Sequence, residues 1–455
     1  MTKELDEIKE QLEKHFEEGT GLNDLSPADL AEHLKVLKRH DEDEYANYLE
    51  KLDSQSLGEV AIEMPDHMLK DLIQNVPNDK IAKAIEELES DDATDLLQYI
   101  EDIDEDKAKE LFCSLELDSQ KEISKLINYA ENEAGAYMQT ELFSAKLDEK
   151  LSSVISRFRV MKKLGEIENI FQLFVVDKNG ILCYAIPLED LIVYDFDLNL
   201  ENIVKDGGVE KYKPHAATDT DDISEVATMV KDFDLSAIAV VNKAGVLLGR
   251  ITTDDIHDFL EESATEQIYN LAGVDDEAEE EDTLFKAGRA RAVWLFINLI
   301  TALISASIIG LFDKTIEAYV AIAILMPIVA SMGGNTGTQA LAVTVRKLAT
   351  HEIDFSDIKR VIFKEVSIAF INGLIFATLM GIIAYIWFGV SLLGVVIAIS
   401  MVINLFCAGF FGTLIPLVLK KFSIDPAVGS SVLLTTVTDT VGFFSFLGLA
   451  KWILL

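Results

Sequence analysis

The chain has 455 residues, of which 78 are acidic and 39 are basic, so its formal net charge is −39 at pH 7. Residues 286–455 hold only 8 acidic and 12 basic residues, which leaves the excess negative charge in the first 285. That charge argues against a nucleic-acid partner, since phosphate binding needs basic side chains. Three widely separated cysteines suggest no disulfide framework and fit a reducing compartment.

The first part of the chain repeats a short amphipathic helix about every twelve residues. Segments such as SPADLAEHL from Ser26 and VPNDKIAKAI from Val76 begin with cap-forming residues and continue with apolar residues at helical spacing. Helices this short are stable only when they stack. We therefore predict a helical superhelix domain over residues 1–132, which taken alone is typical of a scaffold or interaction module.

Two related segments follow, LFVVDKNGILCYAIPLEDL at 173–191 and IAVVNKAGVLLGRITTDDI at 238–256. Each predicts a strand, a tight turn, a strand and a helix. This paired β-α unit resembles the CBS domain, so we expect α+β domains over 133–200 and 201–262. The resemblance implies that Thr252 and Asp255 contact a nucleotide such as ATP. The alternative is that both residues cap a helix.

A further amphipathic helix precedes the membrane segments. Apolar residues recur on one face of TTDDIHDFLEESATEQIYNLAGV (252–274), which favours docking against another surface over a passive linker. We assign residues 263–290 to a connecting helix and linker.

Residues 291–455 predict a bundle of five membrane-spanning helices, at about 292–312, 318–345, 362–386, 391–419 and 426–453. Basic residues crowd the ends and loops on one side of these spans, while the opposite loops hold only Lys314. The positive-inside rule then places the acidic domains in the cytoplasm and the C-terminus outside. We expect an integral protein of a bacterial inner membrane.

Two of the spans carry polar material that lipid does not tolerate. The second contains PIVASMGGNTGTQ (327–339), and the fifth contains Asp439, the only charged residue between Asp425 and Lys451. A charge at that depth costs about 2.5–3.5 kcal/mol on insertion scales, so it should face a pore or a partner helix. One acid per chain is weak for a divalent ion, and a symmetric dimer would supply two. The predicted pore-lining residues are Gly333, Gly334, Asn335, Gly337, Gln339, Thr435 and Thr436.

This order of domains, with P-x5-GGNxGxQ in span two and an acid in span five, resembles the MgtE family of magnesium transporters and channels. The resemblance covers nearly the whole chain. It implies a homodimeric Mg²⁺ channel for uptake, in which Mg²⁺ is both the transported and the regulatory ion, and cytoplasmic Mg²⁺ closes the pore by bridging acidic surfaces. The candidate metal-binding residues are Asp222, Asp234, Asp255, Asp258, Glu262, Glu266 and, in the pore, Asp439.

Two alternatives remain open. In the first, the chain transports another divalent metal such as Co²⁺ or Mn²⁺, although no histidine or cysteine cluster near the pore favours a softer metal. Otherwise the chain is a CBS-based membrane sensor that moves no ion, with the span-two glycines serving helix packing. An enzyme is not expected, because no nucleophile–base pair or Walker motif is present.

Overall fold

The computed structural model describes residues 2–18, 25–167, 169–274, 284–349, 358–422 and 424–455. The chain divides into two compact units, Met1–Glu261 and Glu262–Leu455. Each unit is described separately below.

The first unit begins with a stack of short helices whose apolar faces form one continuous core. Polar residues start several of them; Ser26 and Asp29 form a capping box, and Asp53 accepts a hydrogen bond from the Ser56 amide. The helices are α1 (Thr2–Glu18), α2 (Pro27–His40), α3 (Glu42–Lys51), α4 (Ser54–Ile62), α5 (Asp66–Asn75), α6 (Asn78–Glu87), α7 (Ser90–Ile103), α8 (Glu105–Ser114) and α9 (Leu117–Leu126).

Two α+β halves follow with the same sheet topology. In each, a short first strand pairs in parallel with the second, which pairs antiparallel with the third. Gly180 and Gly245 adopt positive φ in the two hairpin turns, a conformation that glycine reaches without strain. The first half contains β1 (Ser144–Lys146), α10 (Leu151–Leu164), β2 (Gln172–Val176), β3 (Leu182–Pro187), α11 (Leu188–Val193) and α12 (Leu200–Gly207). The second contains β4 (Ala216–Thr218), α13 (Ile223–Asp232), β5 (Ala237–Val241), β6 (Leu247–Thr252) and α14 (Thr253–Ala272). Helix α14 therefore continues without a break past residue 262, where we had placed the end of the second α+β domain.

The second unit contains the C-terminal end of α14 and a helical bundle. Its helices are α15 (Leu284–Gly310), α16 (Asp313–Ala318), α17 (Val320–Ala349), α18 (Ile358–Phe388), α19 (Ser391–Lys421) and α20 (Ser430–Leu454). Within the described residues five of them, all but α16, are long and apolar enough to cross a membrane. The predicted fold class, a helical solenoid followed by α+β domains and an all-α bundle of five spans, is confirmed.

Candidate functional site

The polar segment of span two is helical and presents different residues to two sides. Pro327 lies inside α17 without ending it. Gly333 and Gly337 are buried, and a Cβ at Gly337 would lie 2.9 Å from the Leu434 side chain of α20. A Cβ on the α19 residue Gly412 would lie 2.6 Å from the Gly337 carbonyl oxygen. These glycines bring three helices close together, so the role that the structure shows for Gly333 and Gly337 is helix contact.

The other side of α17 is polar and open. Ser331, Asn335, Thr338 and Gln339 are exposed, and a Cβ added to Gly334 would meet nothing within 4 Å. The Thr338 hydroxyl donates to the Gly334 carbonyl oxygen at 3.0 Å. A face of hydroxyls and amides on a membrane helix needs water, an ion or another protein chain beside it.

The threonines of α20 have hydroxyls oriented by their own helix. Thr436 Oγ1 donates to the Val432 carbonyl at 2.7 Å, and Thr435 Oγ1 donates to the Ser431 carbonyl. A hydroxyl that gives its single proton to the backbone can only accept further hydrogen bonds. Thr435 is exposed and Thr436 half-buried, so both can offer lone pairs to a donor outside the helix.

Asp439 is half-buried in α20. Within the described part of the chain its carboxylate accepts no hydrogen bond and forms no ion pair. Helices α17 and α20 run antiparallel, because the Tyr319 hydroxyl donates to the Leu454 carbonyl at one end and Gly337 meets Leu434 nearer the other. Counting residues between these contacts puts Asp439 at about the level of Gly333 and Gly334. Its depth is thus that of the polar face of α17.

Sequence reasoning missed Asn404, a wholly buried residue of α19. Its Nδ2 donates to the Val329 carbonyl of α17 at 2.8 Å. The available signal was one of two asparagines, Asn372 and Asn404, within a run of 54 uncharged residues, 366–419. That signal is weak, since the sequence alone gives the residue no partner.

In the first unit, two of the predicted metal-binding acids have local roles. Asp222 caps α13, where its Oδ1 accepts from the Ser224 amide at 2.9 Å. Asp234 is exposed in a turn with φ of 50°, a conformation that aspartate tolerates better than most residues. Metal binding at either position stays a prediction.

Thr252 and Asp255 contact each other at the start of α14. Asp255 Oδ2 accepts from the Thr252 hydroxyl at 2.6 Å and from the Thr252 amide at 2.9 Å. Thr252 is 1 % exposed. The bond from the Thr252 amide to Asp255 is one half of a capping box, in line with the capping role that the sequence offered as the alternative. A nucleotide contact at these residues stays a prediction.

A cluster of buried acids that sequence reasoning did not single out surrounds Asp255. Burial raises the pKa of Glu89 to about 7, and Arg250 partly opposes that rise. Burial and the negative charge of Asp255 raise the pKa of Asp92 to about 7 and hold the pKa of Asp91 well above its ordinary value. The signal was the run ESDD at 89–92, which reads equally well as an ordinary helix start.

A buried cation lies beside the cluster. Arg250 is 2 % exposed, and its guanidinium lies 3.6 Å from Glu89 and donates to the Asn169 carbonyl at 2.9 Å. Asp255 itself has its pKa raised to about 6 by burial, against the lowering effect of its bonds from Thr252. The electrostatics of this site favour protons or an added cation over bare carboxylates.

Asp258, farther along α14, is exposed as a whole residue. Partial burial of its carboxyl group and then the charge of Asp254 raise its pKa. Burial and the charge of Asp258 likewise raise the pKa of Glu63. Repulsion between these carboxylates is the condition that a divalent cation would relieve. Among the residues described, however, no three His, Cys, Asp or Glu side chains are placed to hold a metal ion directly.

The end of α14 contacts the helical bundle within the second unit. Leu271 packs against a core of Leu341, Val345, Ala427 and Leu434. Asn270 Nδ2 donates to Asp425 Oδ2 at 3.0 Å and to Glu266 Oε1 at 3.2 Å. Glu262 and Glu266 are both exposed on this helix. The C-terminal end of α14 therefore contacts α17, α20 and the segment that precedes α20. Leu260 and Ile268 of the same helix are exposed, so docking of the whole apolar face stays a prediction.

Comparison with known proteins matches three parts of the chain to family models. A family model described as the divalent cation transporter MgtE matches residues 326–449, one described as the MgtE intracellular N domain matches 25–132, and one described as a CBS domain matches 207–262. The chain is 30% identical to "Magnesium transporter MgtE" of Bacillus subtilis over 430 residues, 94% of this chain and 92% of the relative.

A second relative, "Magnesium transporter MgtE" of Thermus thermophilus, is 32% identical over 366 residues, 80% of this chain and 79% of the relative. A solved structure titled "Crystal structure of the cytosolic domain of the Mg2+ channel MgtE in complex with ATP" covers 55% of this chain and 98% of its own, with 25% identity and a TM-score of 0.47. The identities and coverage of the two full-length relatives decide the classification: this chain belongs to the MgtE family of divalent cation transporters.

Proposed function

We propose that the chain forms a homodimeric Mg²⁺ channel for magnesium uptake. The observation that carries the proposal is Asp439, which has no partner among the described residues and lies at the depth of the polar face of α17. Magnesium transport by relatives that align with most of the chain supports Mg²⁺ as the ion.

The surface chemistry suits an ion that keeps its water. Mg²⁺ dehydrates reluctantly, and its bound waters point their hydrogens outward. A path for the hydrated ion therefore needs acceptors. Asp439 supplies charge, Thr435 and Thr436 supply hydroxyls whose protons are already used, and Asn335 supplies an amide oxygen. Gly334 leaves room beside them.

Two copies of the chain would complete this path. One carboxylate attracts a divalent ion weakly, whereas two Asp439 side chains across a two-fold axis balance its charge. Helix α15 supports the dimer, because Asn298 is exposed in the middle of a membrane helix and its side chain has no partner among the described residues. A second copy would provide one.

Closing by cytoplasmic Mg²⁺ follows from the acids of the first unit and of α14. At high Mg²⁺, ions relieve the repulsion around Asp92, Asp255 and Asp258 and favour a compact closed state. Because no direct three-ligand site is present in the described residues, we propose that these ions bind through retained waters. Leu271 and Asn270 carry the change to α17 and α20. We retain Asp222, Asp234, Glu262 and Glu266 as further ligands, and ATP as a regulatory ligand at Thr252 and Asp255.

The test is ion flux into liposomes that carry the full-length protein with its acidic domains facing inward. We expect Mg²⁺ to enter, and to enter more slowly as lumenal Mg²⁺ rises to millimolar levels. Entry of Co²⁺ or Mn²⁺ without entry of Mg²⁺ would show that the chain transports another divalent metal. No entry of any divalent ion in correctly folded protein would favour a membrane sensor.

A further inference from the structure

Asn404 joins three membrane helices. It lies on α19 with none of its surface exposed, and its Nδ2 donates to the Val329 carbonyl of α17. Its Oδ1 is buried and has no hydrogen-bond partner among the described residues. An unpaired buried acceptor is unfavourable, so packing alone would be better served by an apolar side chain of the same size.

Two glycines make the space that the amide occupies. A Cβ at Gly333 of α17 would overlap Asn404 Nδ2, and a Cβ at Gly442 of α20 would lie 2.8 Å from the same nitrogen. The amide group is therefore held between α17 and α20, although it belongs to α19.

Both glycines adjoin the residues of the proposed ion path. Gly333 directly precedes Gly334 and Asn335. Gly442 lies three residues after Asp439, so the two share one side of α20. The amide thus contacts each of the two path-forming helices within one turn of the group that helix contributes.

We propose that Asn404 is a positioning residue for ion permeation, which holds the Gly334–Asn335 segment of α17 and Asp439 of α20 at one depth. The inference rests on the proposed function, because it takes these two helices as the walls of the path. A site that binds an ion through its waters selects by the spacing of its acceptors. Asn404 accordingly affects which ion passes, without contacting the ion itself.

The experiment compares Asn404→Leu with the wild type in liposomes and records Mg²⁺ and Ca²⁺ entry separately. The net free energy of one hydrogen bond corresponds to a factor of about 3 to 10 in an equilibrium constant. We expect the ratio of Mg²⁺ to Ca²⁺ entry to fall by that factor. Thr413→Val is the matched control. Thr413 is equally buried on α19, but its hydroxyl donates only to Gly409 of its own helix, so the ratio should stay unchanged.

Gly442→Ala is a second test, because the added methyl group displaces the same amide and should lower the same ratio. If Asn404→Leu does not fold, Asn404→Ser is the second variant, because it removes the amide group without adding bulk between α17 and α20. An unchanged ratio in folded variants of Asn404 and Gly442 would overturn the inference.

A measurement that does not depend on transport separates failure of this inference from failure of the proposed function. In a chain whose three native cysteines are replaced by serine, Asn335→Cys can be labelled with a water-soluble thiol reagent. We expect Asn404→Leu to change the labelling rate at least about 3-fold, and Thr413→Val to leave it unchanged. If the wild type moved no Mg²⁺, the proposed function would fail, and this labelling would still decide whether Asn404 positions the segment.

Discussion

Asp92 provides a test of the acidic cluster in the first unit. Its pKa rises from 3.8 to about 7, chiefly through burial and then through the charge of Asp255. The folded state therefore holds this proton more tightly than the unfolded chain does. The resulting stabilisation is complete below pH 4, is lost as the pH rises towards 7, and is absent above that.

The size of the effect follows from the shift. Each pKa unit corresponds to about 1.4 kcal/mol, so the ionised Asp92 costs the folded state about 4 kcal/mol at most. Solvent and mobile ions screen part of this. At pH 8 without divalent ions, we expect Asp92→Asn to raise the free energy of unfolding of the first unit by about 1–3 kcal/mol. At pH 4.5 the same substitution should have little effect.

The assay is thermal or denaturant unfolding of the full-length protein in detergent, followed by a signal from the first unit, at both pH values. Added Mg²⁺ should stabilise the wild type at pH 8 more than Asp92→Asn, because the variant lacks the charge that the ion relieves. Asp118→Asn is the control, since Asp118 is exposed and paired with Lys121. Destabilisation by Asp92→Asn at pH 8, or a wild type that gains stability as the pH rises from 5 to 8, would refute the reasoning.

Two further predictions concern stability. Arg250→Met leaves Glu89 without its buried cation, so we expect a loss of about 3–5 kcal/mol in the unfolding of the first unit; Lys211→Met, which breaks a more exposed pair with Asp190, should cost less than about 1 kcal/mol, and equal losses would contradict the role of Arg250. Gly394→Ala places a Cβ 2.5 Å from the Gly381 carbonyl oxygen and forces α18 and α19 apart, so the melting temperature in detergent should fall, by about 1–3 kcal/mol in free energy. Gly448→Ala, where a Cβ meets nothing within 4 Å, should leave the melting temperature unchanged or raise it.

Hydrophobic length and helix caps predicted most of the architecture. Uncharged runs of membrane-spanning length identify the five spans because lipid excludes charge over a fixed thickness. Ser26 caps α2 as its position indicates, whereas α6 begins after Pro77 without a side-chain cap. The glycine of Asn179–Gly180 adopts the positive φ of a tight turn. These features depend on neighbours in sequence, so one sequence is enough to find them.

Features that depend on distant neighbours were harder to predict. The sequence marks Gly333 and Gly337 as unusual, but only the packed helices show that Gly333 faces Asn404 and Gly337 faces Leu434. Likewise, Glu89 and Arg250 are separated by 161 positions in the chain, and nothing near either of them reveals the other. Burial of a charge beside a partner is a tertiary property, which local patterns do not encode.

The central claim is that Asp439 faces the ion path. Mg²⁺ entry into liposomes should be measured for the wild type and for Asp439→Asn, which keeps the shape of the side chain and removes its charge. Asp313→Asn, an exposed acid outside the five spans, is the matched control. Two unit charges 4 Å apart interact by about 1 kcal/mol in water and by about 4 kcal/mol near a protein surface. We therefore predict that Asp439→Asn slows Mg²⁺ entry about tenfold or more while Asp313→Asn does not. Equal entry in all three proteins would make Asp439 a structural residue and contradict the account.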